Sequence, residues 1–489
     1  MTAPRVLIVG AGPAGVRAAE AVVRGGLRPV VVDEGDACGG QIYRQPPAAK
    51  ARPAETLYGA DAAAARALHA DFAALLPAID YYPRTLVWNL VTGAGQSGPG
   101  QTGFVHVHDR AAGAVGRLDF THVVLATGAT DRVLPVPGWT LPGVFTLGGA
   151  QVALKGQGCL IGRRVAFLGT GPLLYLVALQ YAKAGADVVV VADTSGTWRQ
   201  ARAFPGLRAA PGYALRGMSF VAQLMLKGVP ILRGVVPARI EGTDGVERVT
   251  LRHRGGEKSF ACDAVGLGFG LRSETQLADL AGVPRRYDAA QANWVPRAGC
   301  DGRTPRSGVY VAGDGAGILG AQAAELRGAR AGLAVLADAG GRADPAEAGR
   351  LEAEIGRWVR FRRAIDAMYP VPVQMLRGLA AETVVCRCEH ITLGDLRRVA
   401  ANTGAEDANR LKSFSRAGMG RCQGRFCADN VQELAAFLHG AAPAAMGTQR
   451  AQMPIKPIPI GDLLRQAPRT EPVLDEPVLD EPVLAGEAE

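Results

Sequence analysis

Residues 5–34, RVLIVGAGPAGVRAAEAVVRGGLRPVVVDE, contain the pattern that decides the fold of this chain. The apolar run Val6–Val9 is typical of a parallel strand that is buried on both faces. It is followed by Gly10-x-Gly12-x-x-Gly15 and by an Ala- and Val-rich segment that predicts a helix. A second apolar run then predicts the next strand. This strand–turn–helix–strand order predicts a doubly wound α/β domain with a parallel sheet.

The three glycines have distinct mechanical roles in such a turn. Gly10 makes the turn tight, Gly12 lets the backbone approach a pyrophosphate, and Gly15 lets the helix lie close to the strand. The free N–H groups at the helix N-terminus attract phosphates. At the end of the second strand, Asp33 and Glu34 offer carboxylates for hydrogen bonds from an adenosine ribose. The stretch therefore predicts a dinucleotide-binding domain rather than a Gly-rich loop of another α/β protein.

The composition indicates a globular protein of about three domains, given its 489 residues. The net charge is +9, but 54 basic and 45 acidic residues are mixed along the chain, so no nucleic-acid-binding face is predicted. No run predicts a transmembrane segment, and the first apolar segment is the nucleotide motif itself, which argues against a signal peptide. The eight cysteines form no disulfide framework, and we predict a cytoplasmic location.

A second, imperfect copy of the nucleotide-binding pattern begins at Arg164. It has Gly169 and Gly171, but Leu174 replaces the third glycine and is expected to push the helix away from the strand. The second strand of this copy ends at Asp193, an acid suited to a ribose. Two interpretations stay open. One is a working NAD(P)H site, and the other, which the degenerate pattern favours, is an inherited fold that binds an adenine nucleotide or nothing.

Three later elements resemble the two-dinucleotide-domain flavoproteins related to glutathione and thioredoxin reductases. They are the turn Ala126-Thr127-Gly128, the strand end Gly313-Asp314 and the helix start at Ala321. The resemblance implies a glutathione reductase-like α/β fold with two dinucleotide-binding domains and a bound FAD. It further implies that Asp314 binds the ribityl chain. The helix near Ala321 is expected to point its positive N-terminus at the flavin, which favours the anionic reduced form.

The residues predicted to bind cofactors fall into two groups. In the FAD-binding domain they are Gly10, Gly12, Pro13, Ala14, Gly15, Asp33, Glu34, Gly40, Gln41, Ala126, Thr127, Gly128, Gly313, Asp314 and Ala321. In the degenerate second domain they are Gly169 and Gly171. No catalytic residue is predicted, because Arg44 is the only obvious cation near the flavin motifs.

Four cysteines near the C-terminus have a spacing that predicts an iron–sulfur cluster. Cys386 and Cys388 form a C-x-C pair, and after 33 residues Cys422 and Cys427 form a C-x4-C pair. Four thiolates are the ligand set of a [2Fe–2S] cluster. Zinc stays an alternative, although its sites favour C-x2-4-C spacing. The segments CRCE and SRAGMGRCQGRFC resemble the [2Fe–2S] domain of bacterioferritin-associated ferredoxin, and this resemblance favours the cluster.

The flavin motifs and the cysteine motifs together resemble the larger flavoprotein component of amine dehydrogenases that are built from several subunits. Examples are the opine oxidase A, hydroxyproline dehydrogenase alpha and hydrogen cyanide synthase B subunits. The resemblance is carried by GGQIYRQ, GTGPLL, AGDGAGI and CRCE. It implies an FAD and [2Fe–2S] oxidoreductase subunit that relays electrons from an opine, proline or hydroxyproline type of substrate. The implied partners are a small ferredoxin-like subunit and a second flavoprotein subunit.

Two alternatives to this function stay open. The first is an NAD(P)H-dependent reductase that delivers electrons outward through the cluster. The second is a non-catalytic subunit that holds flavin only as part of its structure. Reduction of the flavin by a nicotinamide nucleotide would favour the first, and the absence of any redox turnover would favour the second.

The motifs divide the chain into six predicted segments. They are a first part of the FAD-binding domain (1–142), a degenerate NAD(P)-like domain (143–263), the second part of the FAD-binding domain (264–340), a connecting helix (341–379), a small helical [2Fe–2S]-binding domain (380–440) and an extended, disordered tail (441–489). The flavin-binding and cluster-binding domains are expected to have separate cores.

Overall fold

The computed structural model of the chain describes residues 4–93 and 103–464. Its strands, in chain order, are β1 (Val6–Val9), β2 (Val30–Val32), β3 (Asp80–Tyr82), β4 (Thr85–Thr92), β5 (Gly103–Asp109), β6 (Ala114–Phe120), β7 (His122–Leu125), β8 (Ala129–Asp131), β9 (Val144–Thr146), β10 (Arg164–Gly169), β11 (Asp187–Asp193), β12 (Ile231–Arg233), β13 (Val236–Glu241), β14 (Arg248–His253), β15 (Gly256–Ala261), β16 (Ala264–Gly268), β17 (Leu271–Ser273), β18 (Arg285–Asp288), β19 (Asn293–Pro296), β20 (Val309–Val311), β21 (Val384–Cys386) and β22 (Ile391–Thr392). Its α-helices are α1 (Pro13–Arg24), α2 (Ala54–Tyr58), α3 (Ala62–Leu75), α4 (Leu147–Val152), α5 (Pro172–Lys183), α6 (Thr197–Ala203), α7 (Pro211–Leu226), α8 (Gln276–Leu280), α9 (Ala321–Asp338), α10 (Pro345–Met368), α11 (Leu393–Thr403), α12 (Ala408–Ser415), α13 (Ala428–Leu438) and α14 (Ile460–Leu464).

The first nucleotide-binding pattern forms a five-stranded parallel sheet in the order β20-β7-β1-β2-β3. All residues of the central strand β1 are buried, as predicted for a strand that is covered on both faces. The edge strand β20 follows the second domain in the sequence, so distant parts of the chain complete this sheet. α1 packs against α9, and a Cβ on Gly328 would lie 2.0 Å from the Ala14 carbonyl oxygen. Glycine is therefore required for this close helix contact.

The Gly-rich turn between β1 and α1 has the geometry predicted from its sequence. Gly10 has a φ of +109°, a conformation that favours glycine. A Cβ on Gly15 would lie 1.7 Å from the Gly10 carbonyl oxygen, so only glycine fits where the helix approaches the strand. Pro13 occupies the first turn of α1, where its missing N–H costs no hydrogen bond. These constraints hold the start of α1 close to the sheet.

The second pattern forms another five-stranded parallel sheet, in the order β12-β11-β10-β16-β9. Leu174, which stands where the third glycine is missing, is fully buried in α5 and shares a core with Val165 and Phe167 of β10. After the two sheet domains, α11, α12 and α13 form the small helical part of the chain. The predicted fold class is thereby confirmed.

The predicted connecting helix is α10, which begins with a defined N-terminal cap. The carboxylate of Asp344 accepts a hydrogen bond from the Ala346 N–H at 2.9 Å. Ile355, Trp358 and Met368 of α10 are buried. The helix is therefore packed onto the sheet domains rather than spanning open solvent.

The hydrophobic core does not follow the predicted division between domains. One continuous cluster of buried residues includes Val133 and Val265 from the sheet domains, and Val385, Cys386 and Leu434 from the helical domain. The expectation of separate cores is therefore wrong. A domain as small as the helical one buries only part of its own apolar surface, so it gains stability by packing against its neighbour.

The described part of the tail packs first against the helical domain, where the Gln449 side chain donates a hydrogen bond to the Ala417 carbonyl oxygen at 3.0 Å, and then against the FAD-binding domain. Residues 450–459 form neither helix nor strand. Ile455 is buried there, and its N–H donates a hydrogen bond to the Trp88 carbonyl oxygen at 3.1 Å.

The prediction of an extended tail is wrong for Ile460–Leu464, which form α14. This helix is fixed by a tertiary contact, because His108 Nε2 of β5 lies 2.9 Å from Asp462 Oδ2 in a buried pair. The acidic repeats after Thr470, which are predicted to be disordered, lie outside the described residues. No helix within the described residues has the length and apolar character that a membrane span requires.

Candidate functional site

A cavity of about 640 Å³ lies at the C-terminal ends of β1, β2, β7 and β20. Ligands of doubly wound sheets bind at this edge. The cavity is lined by nearly all of the residues predicted to bind FAD, namely Gly10, Gly12, Pro13, Ala14, Asp33, Glu34, Gly40, Gln41, Ala126, Thr127, Gly128, Gly313, Asp314 and Ala321. The exception is Gly15, whose role is the helix contact described above. Residues that are far apart in the sequence thus meet at one cavity.

The backbone around Gly12 leaves room for a pyrophosphate. Gly12 has a φ of −75°, which any residue can adopt, and the nearest atom to a Cβ there would be the Gly40 Cα at 3.6 Å. The chain itself therefore tolerates a side chain at this position, but that side chain would fill part of the cavity. An open cradle at the N-terminus of α1 fits the pyrophosphate of FAD.

The two acids after β2 have different environments. Asp33 is half-buried, and its carboxylate oxygens accept hydrogen bonds from the N–H groups of Ala11 at 2.5 Å and Gly35 at 2.7 Å. Burial raises the pKa of Asp33, against the effect of these hydrogen bonds. Glu34 lies half exposed at the cavity wall, in an ion pair with Lys456 of the tail. Asp33 thus holds the loop in place, whereas Glu34 is accessible to an adenosine ribose.

Asp314 shapes the turn that leads into α9. Its Oδ1 accepts hydrogen bonds from the N–H groups of Leu319 at 2.8 Å and Gly320 at 3.0 Å. Its Oδ2 accepts none from the residues that the structure describes, and the side chain lines the cavity. One carboxylate oxygen therefore remains available for a hydroxyl group of a bound ligand.

The cavity wall carries more positive charge than the sequence motifs indicated. The expectation that Arg44 is the only cation near the flavin motifs is wrong, because four further cations line the cavity: Lys155, Arg216, Arg425 and Lys456. All four come from segments that are distant in the sequence from the flavin motifs. Apart from Arg425, which lies in the C-x4-C segment, they belong to no motif, and only the tertiary structure places all four at the cavity.

Lys155 is the most deeply buried of these cations. It belongs to the π-helical turn Ala153–Gln157, and its ammonium donates a hydrogen bond to the Ile42 carbonyl oxygen at 3.4 Å. Burial lowers its pKa to about 8, although the negative charge of Asp61 acts in the opposite direction. A buried ammonium of this kind favours negative charge on a ligand of the cavity.

The two glycines predicted for the second nucleotide site both have a structural reason to be glycine. A Cβ on Gly169 would lie 1.7 Å from the Gly268 carbonyl oxygen of the neighbouring strand β16. Gly171 has a φ of +101° and has no atom within 4 Å of a Cβ. Gly169 is thus required by the sheet, and Gly171 by its backbone conformation.

Asp193, the acid of the second nucleotide site, accepts hydrogen bonds from other residues of the protein. Asp193 is fully buried, with one oxygen accepting from the Ser195 N–H at 2.8 Å. Its other oxygen accepts from the Tyr175 hydroxyl at 2.7 Å and from the Gln200 side chain at 2.9 Å. Burial raises the pKa of Asp193 to about 6. The Ser195 hydroxyl also donates to the carbonyl oxygen of Met368, which ties this strand end to α10. A ribose would have to displace these contacts.

The four cysteines of the helical domain meet in two pairs. Cys386 and Cys427 are buried and hydrogen-bonded to each other, and Cys388 and Cys422 form a second, half-buried pair. In residues 4–93 and 103–464, no three His, Cys, Asp or Glu side chains converge as the ligands of a single metal ion do. In a [2Fe–2S] cluster each of the two irons is held by two thiolates, so this group of four cysteines supplies a complete ligand set.

Hydrogen bonds favour ionisation of Cys386. The Cys427 thiol and the backbone N–H groups of Gly418, Glu389 and Cys388 donate to it and lower its pKa to about 6, although burial acts in the opposite direction. The pKa of Cys427 is raised, because its thiol is the donor to Cys386 and because it is buried. The thiolate is the form that binds iron, so the backbone here favours ligation.

The glycines before the second cysteine pair are required by packing. A Cβ on Gly420 would lie 2.4 Å from the Cys388 Cβ, and one on Gly418 would lie 2.0 Å from the Gln449 side-chain oxygen. Gly418 also has a φ of +94°. The loop can approach Cys388 of the C-x-C motif because these positions lack side chains.

A short polar bridge joins the cysteine loop to the cavity wall. Arg425, which lies within the C-x4-C segment, donates a hydrogen bond to the Glu274 carboxylate at 2.7 Å. The Glu274 N–H donates to the Gly128 carbonyl oxygen at 3.0 Å, and the Thr127 hydroxyl donates to the Glu274 carbonyl oxygen at 2.7 Å. Sequence reasoning missed Glu274, which belongs to no motif. The bridge holds residues 422–427 close to the Ala-Thr-Gly turn.

A buried ion cluster also fixes the helical domain to the rest of the chain. Asp429 of α13 lies 3.3 Å from the Arg132 guanidinium and 3.2 Å from that of Arg272. Arg272 also donates a hydrogen bond to the Arg425 carbonyl oxygen at 2.8 Å. One carboxylate thus neutralises two guanidinium groups at the domain contact.

Replacing Asp429 by alanine is expected to lower the free energy of unfolding by about 3 kcal/mol, because the buried guanidinium of Arg132 and the partly buried one of Arg272 lose this counter-charge. Thermal unfolding followed by circular dichroism measures the change. The matched control is Arg66→Ala, which removes an exposed ion pair with Glu55 and is expected to cost less than about 1 kcal/mol. Equal effects of the two substitutions would contradict this account of the domain contact.

Comparisons with known proteins agree with this architecture. Residues 4–331 match the family model described as pyridine nucleotide-disulphide oxidoreductase, and residues 384–436 match that of the BFD-like [2Fe-2S] binding domain. The chain is 39% identical to the A subunit of opine oxidase from Agrobacterium tumefaciens (strain Ach5), over 94% of this chain and 91% of that protein. It is 33% identical to hydrogen cyanide synthase subunit HcnB of Pseudomonas aeruginosa, over 93% and 97% of the two chains. The crystal structure of L-proline dehydrogenase from P. horikoshii has a similar fold, with a TM-score of 0.66 over 94% of this chain and 79% of that chain at 19% identity.

Proposed function

Since the chain belongs to the pyridine nucleotide-disulphide oxidoreductase family, we propose that it is the electron-relay subunit of an amine or amino-acid dehydrogenase complex. It is an oxidoreductase that uses FAD and a [2Fe–2S] cluster. In the proposed role, a partner subunit oxidises the C–N bond of an opine, proline or hydroxyproline type of substrate. This chain then receives the electrons and passes them on.

The observation that carries this proposal is the polar bridge between the cavity and the cysteine loop. Arg425 and Glu274 connect the C-x4-C segment, residues 422–427, to Gly128 at the cavity wall. FAD exchanges electrons in pairs or singly, whereas a [2Fe–2S] cluster exchanges them singly, so both together suit a relay. The residues of the bridge hold the two sites in a fixed relative position.

The cofactor contacts are assigned as follows within this proposal. Gly12 and the N-terminus of α1 receive the pyrophosphate of FAD, Glu34 the adenosine ribose, and Asp314 the ribityl chain. The cluster ligands are Cys386, Cys388, Cys422 and Cys427. In the second nucleotide domain, both Asp193 oxygens already accept hydrogen bonds within the protein, which supports an inherited fold that requires no nucleotide.

The proposed partners are a small ferredoxin-like subunit and a second flavoprotein subunit. The names of the relatives support a multi-subunit complex, since opine oxidase and hydrogen cyanide synthase are both named by subunit. Cysteines must be reduced to bind iron, which supports the cytoplasmic location predicted above.

Expression of the chain alone and together with its neighbouring genes tests this function. The lone chain is expected to reduce a dye only when a reductant is supplied. Together with the partner subunit, it is expected to turn over a substrate of the proline, hydroxyproline or opine type. Full turnover of such a substrate by the lone chain would contradict the relay role.

NADH and NADPH are expected to reduce the bound flavin slowly or not at all. The reason is that Leu174 replaces the third glycine and that both Asp193 oxygens already accept hydrogen bonds. Anaerobic stopped-flow absorbance at the flavin band measures the rate, with dithionite as the control that shows the flavin to be reducible. Rapid bleaching by either nucleotide would favour the reductase alternative instead.

A further inference from the structure

Helix α7 turns an apolar face toward the solvent. Every exposed residue of α7 is nonpolar: Pro211, Gly212, Leu215, Met218, Ala222, Met225 and Leu226. Leu215, Met225 and Leu226 are 63%, 65% and 87% exposed. Spacings of three and four residues place Leu215, Met218, Ala222 and Met225 on one face. A surface helix normally has the reverse arrangement, with polar residues outward.

The orientation of α7 is fixed by contacts on its other faces. Leu224 is fully buried in the core of the second sheet domain. The Arg216 guanidinium forms a bidentate ion pair with Asp61, with one N···O distance of 2.6 Å. The ring of Tyr213 packs edge-on against Trp358 of α10, with centroids 4.9 Å apart. The apolar face is therefore held outward by three independent anchors.

The apolar face continues onto the segment before α7, which packs against it through the turn Phe204–Ala209. Trp198 of α6 is 80% exposed and Phe204 is 44% exposed. We call the α6–α7 surface the set Trp198, Phe204, Leu215, Met218, Ala222, Met225 and Leu226. Isolated exposed apolar residues are common, but a set of this size on adjoining elements marks an interaction site.

The border of the α6–α7 surface is positively charged. Arg199, Arg202 and Arg208 are exposed, and none forms an ion pair or a side-chain hydrogen bond with residues 4–93 or 103–464. Elsewhere in the described chain many arginines are paired with carboxylates, as Arg216 is with Asp61. An apolar centre with an uncompensated basic border is complementary to an apolar patch with acidic side chains around it.

The helix that carries most of the α6–α7 surface also lines the flavin cavity, through Arg216 on another of its faces. Arg216 lies on α7 between Leu215 and Met218, and it lines the cavity together with Leu173 and Leu176 of α5. A protein that docks on α7 is therefore placed beside this cavity wall.

We propose that the α6–α7 surface is the docking site of the partner flavoprotein subunit, which contributes an apolar patch bordered by acidic side chains. The proposal rests on the proposed function, because a relay subunit needs a lasting contact with its electron donor. Permanent interfaces between subunits are apolar at their centre, and charged residues at the border set partner choice and association rate. Docking here brings the partner next to the cavity.

The test is the variant Leu215→Glu/Met218→Glu in the full-length chain, co-expressed with the neighbouring flavoprotein gene. Two carboxylates in the apolar centre are expected to weaken the complex by at least about 30-fold, as for the loss of a central interface contact. Size-exclusion chromatography and titration of the purified subunits measure the affinity. Charge reversal by Arg199→Glu/Arg202→Glu is expected to slow association and to reduce its salt dependence.

The matched control is Leu76→Glu, which places the same charge at another large apolar residue, 45% exposed and far from α7 in sequence. It is expected to leave the affinity unchanged. FAD absorbance and thermal unfolding of each variant show that the surface changes leave the fold intact. If the double variant binds the partner as tightly as the wild type, the proposal is wrong.

Other occupants of the surface give different results. A wild-type chain that is dimeric alone, with a monomeric double variant, would assign the surface to a second copy. If the partner binds more tightly after deletion of residues 465–489, and if the deletion has no such effect in the double variant, the surface is assigned to the tail. If the wild type binds no neighbour-encoded protein, the docking proposal fails, whereas dye reduction by the lone chain still tests the relay function separately.

Discussion

Replacing Gly12 by valine is expected to give a folded protein that binds no FAD. The backbone at Gly12 has a φ of −75°, and the closest atom to a Cβ would be 3.6 Å away, so the chain accommodates the larger residue. The valine side chain would instead enter the cradle at the N-terminus of α1, where a pyrophosphate must approach the backbone. The measurement is the flavin absorbance of the purified variant after reconstitution with FAD, together with iron content as a check on the cluster.

The matched control for this substitution is Gly196→Val. Gly196 is also the N-cap residue of a helix, with a φ of −78° and no atom within 4 Å of a Cβ, but it does not line the flavin cavity. It is expected to keep its FAD. By contrast, Gly15→Ala is expected to destabilise the fold itself, because its Cβ would lie 1.7 Å from the Gly10 carbonyl oxygen. Normal FAD binding by Gly12→Val would overturn the assignment of the cradle.

Replacing Cys388 by serine is expected to remove the cluster and to leave the flavin bound. Anaerobically purified wild type is expected to contain about two iron and two sulfide per chain, because four thiolates complete the ligand set. Cys388 is only half buried, so its loss leaves the shared hydrophobic core intact. Iron and sulfide analysis, together with the paramagnetic signal of the reduced protein, measures the cluster, and the visible spectrum measures the flavin.

Two further cysteine variants define the specificity of this result. Cys159→Ser changes an exposed cysteine outside the cluster and is expected to keep full iron content. Cys386→Ser is expected to lose the cluster and also to lower the thermal stability, because Cys386 belongs to the core that the helical domain shares with the sheet domains. Stoichiometric zinc in the wild type, without a reducible paramagnetic signal, would contradict the cluster assignment.

The different contacts of two adjacent acids, Asp33 and Glu34, could not be predicted from the sequence. Asp33 and Glu34 are adjacent acids that the motif treats alike, and both line the cavity. Asp33 accepts hydrogen bonds from the backbone N–H groups of Ala11 and Gly35, whereas Glu34 pairs with Lys456 of the tail. The hydrogen-bond partners of each carboxylate depend on how the loop packs. No local pattern encodes that difference.

The sequence by itself determined the parts of this protein that depend on local backbone geometry. Gly10 and Gly15 specify the turn after β1, and the C-x-C and C-x4-C spacings mark the four cysteines, because each pattern involves residues that are close along the chain. The contacts of Cys386 with Cys427 and of Cys388 with Cys422 join residues that are far apart in the sequence. Only the tertiary structure decided which distant side chains meet, such as Lys155 at the flavin cavity and Glu274 with Arg425. It also decided that the helical domain shares a core with its neighbour. Such contacts follow from the burial of apolar surface, which is non-directional and is satisfied only when the whole chain is packed.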